Sequence, residues 1–196
     1  MRNPALTACA LASAIAFAAP ASSADCEPAP HAVCVGADLR GLDLAGRDLS
    51  GADFRHANLS ADDLGDADLD GADLNGANLY AATLKRTNFI HAVLRGADLR
   101  QTHLEGAKLV GADLRDADLR YAALDGADFS GADLRGAKLA MIDLRNVRLD
   151  GARTEGAVWS TGRICLQGSI GAVCVGGGSS APSSPEPPNP QSEPRP

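Results

Sequence analysis

The chain has 196 residues, of which 45% are hydrophobic and 4% aromatic, and its formal net charge is −7 at pH 7. A negative net charge argues against non-specific binding to nucleic acid or anionic lipid, and the scarcity of aromatic residues argues against platforms for stacking bases. We therefore expect no direct nucleic-acid binding. Beyond the first residues, no stretch is long and apolar enough to cross a membrane, so no transmembrane segment is expected.

Residues 1–24 have the organisation of a signal peptide. A short positive start precedes an alanine-rich apolar run from Ala5 to Ala19, and small residues follow up to Ala24. We expect cleavage near Ala24, which would export the protein to the periplasm or the extracellular medium. A short membrane anchor is the alternative, but the apolar run is too short to span a bilayer. The residues before Cys9 also match a lipoprotein cleavage box weakly.

A large apolar residue occurs at every fifth position from Leu39 to Leu149, in 23 consecutive units without an insertion. These residues are Leu except at Phe54, Phe89 and Phe129. Ala lies two residues before this central position in 16 units, Asp or Asn one residue before it in 16, and Gly two residues after it in 12. A period of five fits neither an α-helix nor a flat strand. The pattern predicts a chain that turns a corner once per unit and stacks as a solenoid.

Units such as Ala112-Asp113-Leu114 and Ala132-Asp133-Leu134 resemble those of the pentapeptide-repeat family. The resemblance covers residues 37–161 and implies an all-β fold, a right-handed quadrilateral β-helix with four pentapeptides to a coil. About six coils would form a rod roughly 29 Å long, at about 4.8 Å per coil. Leu, Phe and Ala would point inward, and the Asp column would serve the turns, as Asx residues do.

The ends of the repeat region depart from this pattern. Larger or charged side chains occupy the Ala position at Leu42, Arg47, Asp62, Ile142 and Val147. We therefore expect irregular coils at both ends. The repeat fades after Leu149, and Trp159 is expected to cover the last coil, because the open ends of a solenoid must be capped. A ligand-binding aromatic is the alternative.

Four cysteines remain after the signal peptide, as one close pair at each end of the repeats. Cys26 and Cys34 lie in a predicted N-terminal cap, residues 25–36, and Cys165 and Cys174 in a predicted C-terminal cap, residues 162–175. The implied rod is roughly 29 Å long, whereas a disulfide tolerates a Cα separation of about 7 Å. We therefore predict one disulfide within each cap. A metal site is the alternative, but thiols at opposite ends cannot converge on one ion.

Residues 176–196 differ from the rest of the chain in composition. They include seven prolines and almost no apolar side chain. Such a segment cannot bury enough surface to fold alone, so we expect a disordered tail. It would serve as a spacer, a wall-facing linker or a solubilising segment.

The sequence offers little catalytic chemistry. The histidines, His31, His56, His91 and His103, fall on different sides or levels of the implied rod. The repeated carboxylates single out no pair of acids for hydrolysis. We therefore predict that the chain is not an enzyme and has neither a metal site nor a cofactor.

Steps of one coil along one side of the implied rod give two candidate interaction surfaces. Arg95, Arg115 and Arg135 form an outward column. The column is either a solvated ladder compensated by neighbouring acids or a docking stripe for an acidic partner. Ile90 and Val110 form a small outward apolar patch.

Two functions from different classes remain. The signal peptide, the paired cysteines and the lack of catalytic groups favour a non-enzymatic exported scaffold that binds an unknown protein partner. The resemblance implies an alternative, because some pentapeptide-repeat proteins are similar to duplex DNA in shape and charge and bind DNA gyrase. Residues 37–84 have a net charge of −7, which would suit such a mimic, whereas residues 85–156 have +1. The family often dimerises end to end through its C-terminal cap, which leaves a homodimer open.

Overall fold

The computed structural model describes residues 26–144 and 146–159 of the chain. Parallel β-bridges join the residue before a central position to the equivalent residue four units later, beginning with Val33 and Asp53, with one exception near the C-terminal end of the described residues. Near the C-terminal end the bridges extend into two strands, β1 (Lys138–Leu139) and β2 (Val158–Trp159), which pair in parallel. This register means that four pentapeptide units make one coil.

Each coil has four faces, which we number by their first central residue. Face 1 starts at Cys34, face 2 at Leu39, face 3 at Leu44 and face 4 at Leu49, and each continues with one central residue in every following coil. The first bridge, at Val33, lies inside the segment predicted as the N-terminal cap. Coils in a parallel ladder lie about 4.8 Å apart, so six coils over residues 37–156 span roughly 29 Å.

Each corner of the coil is a β-turn whose third residue has a positive φ. This residue lies two positions after the central one, and its φ is between 55° and 81° at every fifth position from His31 to Gly156. The turn is closed by a main-chain hydrogen bond, such as the one that Leu42 N donates to Leu39 O over 3.3 Å. These are the features of a type II turn, which glycine adopts without strain. The turn geometry therefore explains the Gly column of the sequence.

The interior consists of the central Leu and Phe residues and the Ala residues that precede them. All three central Phe side chains are at most 1% exposed. Burial of a Leu or Phe side chain contributes about 1.5–3 kcal/mol, and stacking along the axis repeats that gain in every coil. Where Thr87 replaces Ala, its Oγ1 donates to Leu64 O over 2.7 Å, so its buried hydroxyl has a partner.

At the N-terminal end the side chains are irregular, while the parallel bridges continue without a gap. Leu42 and Arg47 are exposed although they occupy the Ala position. Asp62 is only 3% exposed, and its Oδ1 accepts a hydrogen bond from Gly41 N over 2.6 Å. Its Oδ2 is buried without a hydrogen bond, and burial raises the pKa of this carboxyl. The expected irregularity is therefore confirmed for the side chains but is wrong for the backbone ladder.

At the C-terminal end the ladder itself is interrupted on face 3. His103 and Ala123 form a bridge, but within the described residues Ala123 and Asp143 do not. Ile142 occupies the Ala position of the last coil, and its larger side chain is buried in the core at 9% exposure, which requires more room than Ala does. The coils separate there into a cleft of about 660 Å³, whose lining includes Leu124 and Asp143. The expected irregularity at this end is confirmed.

Trp159 occupies a central position at the end of the described rod. It lies opposite Leu139 in the β1–β2 pair and is 6% exposed, which agrees with the expected cover for the last coil.

No helix in the described part of the chain is long and apolar enough to span a bilayer. The predicted signal peptide, C-terminal cap and tail lie outside the described residues, as do Cys165 and Cys174.

Candidate functional site

The Asp and Asn residues before the central position shape the outer surface of the rod. Among the described residues, fifteen of them accept a hydrogen bond at Oδ1 from the main-chain N–H two residues later, over 2.9–3.4 Å. This bond links the residue after the central position to the Asp or Asn before it. The direction in which the side chain of the later residue leaves the surface is therefore fixed. The prediction that these acids serve the turns is confirmed.

Arginines after the central position fold back onto the Asp of their own unit. On face 1, Arg55, Arg115 and Arg135 place Nε and Nη2 2.6–2.9 Å from the two oxygens of the Asp two residues earlier. The same arrangement occurs on face 2 at Arg40, Arg100 and Arg120. Bidentate pairs of this kind are short and directional, so these guanidinium groups are well ordered.

The predicted column of Arg95, Arg115 and Arg135 lies along face 1, linked by acids. Arg95 has no Asp in its own unit, and its Nε donates to Asp113 Oδ2 in the next coil over 2.6 Å. Hydrogen bonds from Arg115, and then from Arg95, lower the pKa of Asp113 to about 2. Arg115 Nε also lies 3.9 Å from Asp133 Oδ2 in the following coil. We call these five residues the face 1 lattice.

The acids of the face 1 lattice lie beneath its arginines. The side chains of Asp113 and Asp133 are 21% and 19% exposed, whereas that of Arg95 is 49% exposed. The outer layer of face 1 is therefore a row of guanidinium groups, and the carboxylates beneath them neutralise much of their charge. This geometry favours the compensated ladder over a bare cationic stripe, and a role of the column in docking stays a prediction.

The predicted apolar patch of Ile90 and Val110 lies on face 4, where both residues are half-buried. Large apolar side chains with greater exposure lie elsewhere in the described residues: Val33, Val35, Leu42, Tyr80, Tyr121 and Met141. The sequence analysis missed Tyr121 and Met141 because they occupy corner positions, where glycine is the common residue. The signal that could have found them is their separation of one full coil.

The histidines do not converge. Three of them, His31, His56 and His91, occupy corners with positive φ, while His103 lies on face 3 with its Nδ1 3.4 Å from Glu105 Oε1. Within residues 26–144 and 146–159, no three His, Cys, Asp or Glu side chains are grouped so that they could hold a metal ion.

Cys26 and Cys34 lie close together at the start of the rod. Their Cα atoms are 5.4 Å apart, within the range of about 4.4–6.8 Å that a disulfide spans. Cys34 is 2% exposed at the first central position of face 1, one coil before Phe54. The structure therefore brings the first predicted pair together, and the second pair lies outside the described residues.

A parallel ladder with four units to a coil, type II corners and an Ala–Leu interior defines a solenoid, a class in which the outer faces make the contacts. The family model for pentapeptide repeats matches eight copies, over residues 32–61, 63–101, 97–136 and 127–157. The chain belongs to the pentapeptide-repeat family. Proteins of this family form right-handed quadrilateral β-helices and are generally non-enzymatic structural or interaction proteins.

Several solved structures are similar to the chain. Rfr23 from the cyanobacterium Cyanothece 51142 is 41% identical over 47% of this chain and 63% of its own, with a TM-score of 0.47. HetL from the cyanobacterium Nostoc sp. strain PCC 7120, which is involved in heterocyst differentiation regulation, is 33% identical over 68% of this chain and 75% of its own, with a TM-score of 0.35. QnrB1, a plasmid-mediated fluoroquinolone resistance protein, is 19% identical over 69% of this chain and 89% of its own, with a TM-score of 0.28. The chain thus spans less than two thirds of the Cyanothece protein. No curated protein matches the sequence.

Proposed function

We propose that the chain is a non-enzymatic protein-interaction scaffold that acts outside the cytoplasm. The face 1 lattice is the observation that supports it best, because Asp113 and Asp133 hold Arg95 and Arg115 in place on a regular ladder. A side chain that is already ordered loses little conformational entropy when a partner binds. A guanidinium group has five N–H donors, so donors remain for carboxylates or main-chain carbonyls of a partner protein.

Export is the second part of the proposal. The signal-like residues 1–24 support it, and so does the short Cα separation of Cys26 and Cys34, since disulfides persist in oxidising compartments. In this proposal Cys165 and Cys174 pair as well. One disulfide then closes each end of a right-handed rod.

Intact mass under non-reducing conditions tests export. The protein would be recovered separately from cytoplasmic and exported fractions of its own host. We expect a species that begins at Asp25, lacks four hydrogens and occurs outside the cytoplasm. A full-length, reduced species in the cytoplasm would overturn both the export and the disulfides. DNA gyrase would then become the leading partner, and a supercoiling assay with the purified chain would test it directly.

Site-specific photo-crosslinking tests the interaction surface. A photoreactive residue would replace Asn75, which lies one coil before Arg95 on face 1, so that the arginines stay in place. The matched control is Ser130 on face 4, because both residues are half-buried and donate their main-chain N–H to the Asp two residues earlier. We expect a protein adduct from position 75 in the exported fraction and none from position 130. Equal adducts at both positions, or none at position 75, would contradict a binding role for face 1.

A further inference from the structure

We propose that the proline-rich segment 182–190 binds in cis to an exposed tyrosine strip that runs along face 2 and the corner after it. The strip consists of Tyr80, Arg100, Gln101, Arg120, Tyr121 and Met141. This assigns a ligand to a surface that the proposed scaffold function does not use.

The strip presents two tyrosines and a methionine to solvent beside the polar side chains of Arg100, Gln101 and Arg120. Tyr80 is 38% exposed, Tyr121 57% and Met141 63%. Tyr80 Oη donates to Gln101 Oε1 over 2.8 Å, which directs the ring towards the corner column that contains Tyr121. The guanidinium carbon of Arg100 lies 5.5 Å from the centroid of the Tyr80 ring. Tyr80, Arg100 and Gln101 are thus in contact, and Arg120, Tyr121 and Met141 continue the same face and corner over the next two coils.

The spacing of the strip matches a polyproline II helix. The backbone positions of Tyr80 and Tyr121 lie two coils apart, about 9.6 Å along the axis. A polyproline II helix has three residues per turn and rises about 9.3 Å in that turn. Two successive prolines three residues apart would therefore reach one tyrosine each. Pro182, Pro185 and Pro188 have this spacing, and aromatic-lined surfaces are the usual receptors for such helices.

The segment is also within reach of the strip. The described chain ends at Trp159 on face 2, two coils beyond the level of Tyr121 and about 9.6 Å from it along the axis. Residues 160–181 separate Trp159 from the first of these prolines, and 22 residues that behaved as a random coil would span roughly 26 Å on average. Glu186 lies within the segment and would bring a carboxylate towards Arg100 and Arg120. A tether this short gives a high local concentration of the segment.

The two tyrosines are the only ones in the chain, so their ring signals report on this strip alone. The test uses full-length protein with isotope-labelled tyrosine, with and without the substitutions Pro182→Ser, Pro185→Ser and Pro188→Ser. In the substituted protein we expect both ring signals to shift and the cross-peaks between the Tyr121 ring and proline protons to disappear. The matched control removes three prolines of another register, Pro187→Ser, Pro190→Ser and Pro196→Ser, and should shift the rings far less.

A variant of the receptor side completes the test. Tyr121→Ala should move the amide signals of Ser183, Ser184 and Glu186 to random-coil positions, whereas Arg115→Ala on face 1 should leave them in place. Ring signals that do not respond to the proline substitutions would overturn the proposal. A second result would also overturn the proposal. If dilution of the native protein moves its ring signals to the positions seen in the proline variant, the segment is bound to a second copy.

Discussion

The imidazole ring of His56 lies against the backbone of Gly76, one coil further along the same corner. A Cβ atom at Gly76 would come within 2.6 Å of His56 Nδ1, which is closer than non-bonded atoms approach. Other corner side chains lie in the same way against the glycine of the next coil: His31, His91 and Asp116. At these corners the glycine is therefore required for steric reasons beyond the φ angle, because the preceding side chain packs over it, whereas another corner column carries Gln101, Tyr121 and Met141 in successive coils.

Gly76→Ala should destabilise the rod more than Gly96→Ala. Both glycines lie on this corner column with positive φ, but a Cβ at Gly96 would meet nothing within 4 Å. Alanine in this left-handed conformation costs about 1–2 kcal/mol at either site. At Gly76 we expect about 1 kcal/mol more, since the His56 ring must leave its rotamer. Urea titrations followed by circular dichroism measure both, and adding His56→Gly should remove the excess. Equal effects at Gly76 and Gly96 would show that the contact is unimportant.

Acidification should weaken the face 1 lattice through Asp113. Arg115 and Arg95 lower the pKa of Asp113 from 3.8 to about 2, so the stabilisation is complete above the unfolded-state pKa and is lost as the pH falls towards 2. Each pKa unit corresponds to about 1.4 kcal/mol, so the shift corresponds to about 2.5 kcal/mol. Solvent screening of the partly exposed arginines reduces the expected loss to on the order of 1–2 kcal/mol. Asp113→Asn lacks this contribution. The difference in unfolding free energy between the native protein and Asp113→Asn should therefore shrink over this pH range, and a constant difference would refute the assignment.

Asp62 should show the opposite pH dependence. Burial raises the pKa of Asp62, so its charged form opposes folding at neutral pH, and this penalty is relieved as the pH falls through the raised value. Asn at this position keeps an oxygen for Gly41 N–H and carries no charge. Asp62→Asn should be more stable than the native protein at neutral pH by about 1 kcal/mol, and the gain should vanish in acid. Asp62→Ala lacks the acceptor and should show no such gain. Thermal unfolding across the pH range measures all three proteins.

Hydrogen exchange should detect the interruption on face 3. Leu104 N donates to Ala123 O over 2.8 Å, whereas the described residues contain no equivalent bond from Leu124 N to Asp143 O. The Leu124 amide should therefore exchange at least about tenfold faster than the Leu104 amide. Ile142→Ala removes the oversized side chain and should slow exchange at Leu124 towards the rate at Leu104. Unchanged exchange in that variant would rule out Ile142 as the cause.

The repeat made the interior predictable, because one residue type every five positions leaves few ways to bury Leu39 through Leu149. It also predicted the role of the Asp column, since an Asx hydrogen bond is local to one unit. The outer contacts were harder to predict. The link from Arg95 to Asp113 and the contact of His56 with Gly76 join residues about one coil apart, and they depend on side-chain rotamers that no periodicity encodes. The gap beside Asp143 depends on a competition between the space that the Ile142 side chain needs and the hydrogen bonds between neighbouring coils, and the sequence alone does not give its outcome.

The equal length of the four faces limits how such a chain can evolve. A duplication of one pentapeptide after Gly96 would keep every central Leu buried, so the core would tolerate it. Every later residue would nevertheless turn by a quarter of the coil, moving Arg115 from face 1 to face 2 and separating it from Arg95. A duplication of a whole coil would instead return each column to its original face. The hydrophobic interior thus accepts changes of length by single pentapeptides, whereas any function that depends on a surface column accepts them only by complete coils.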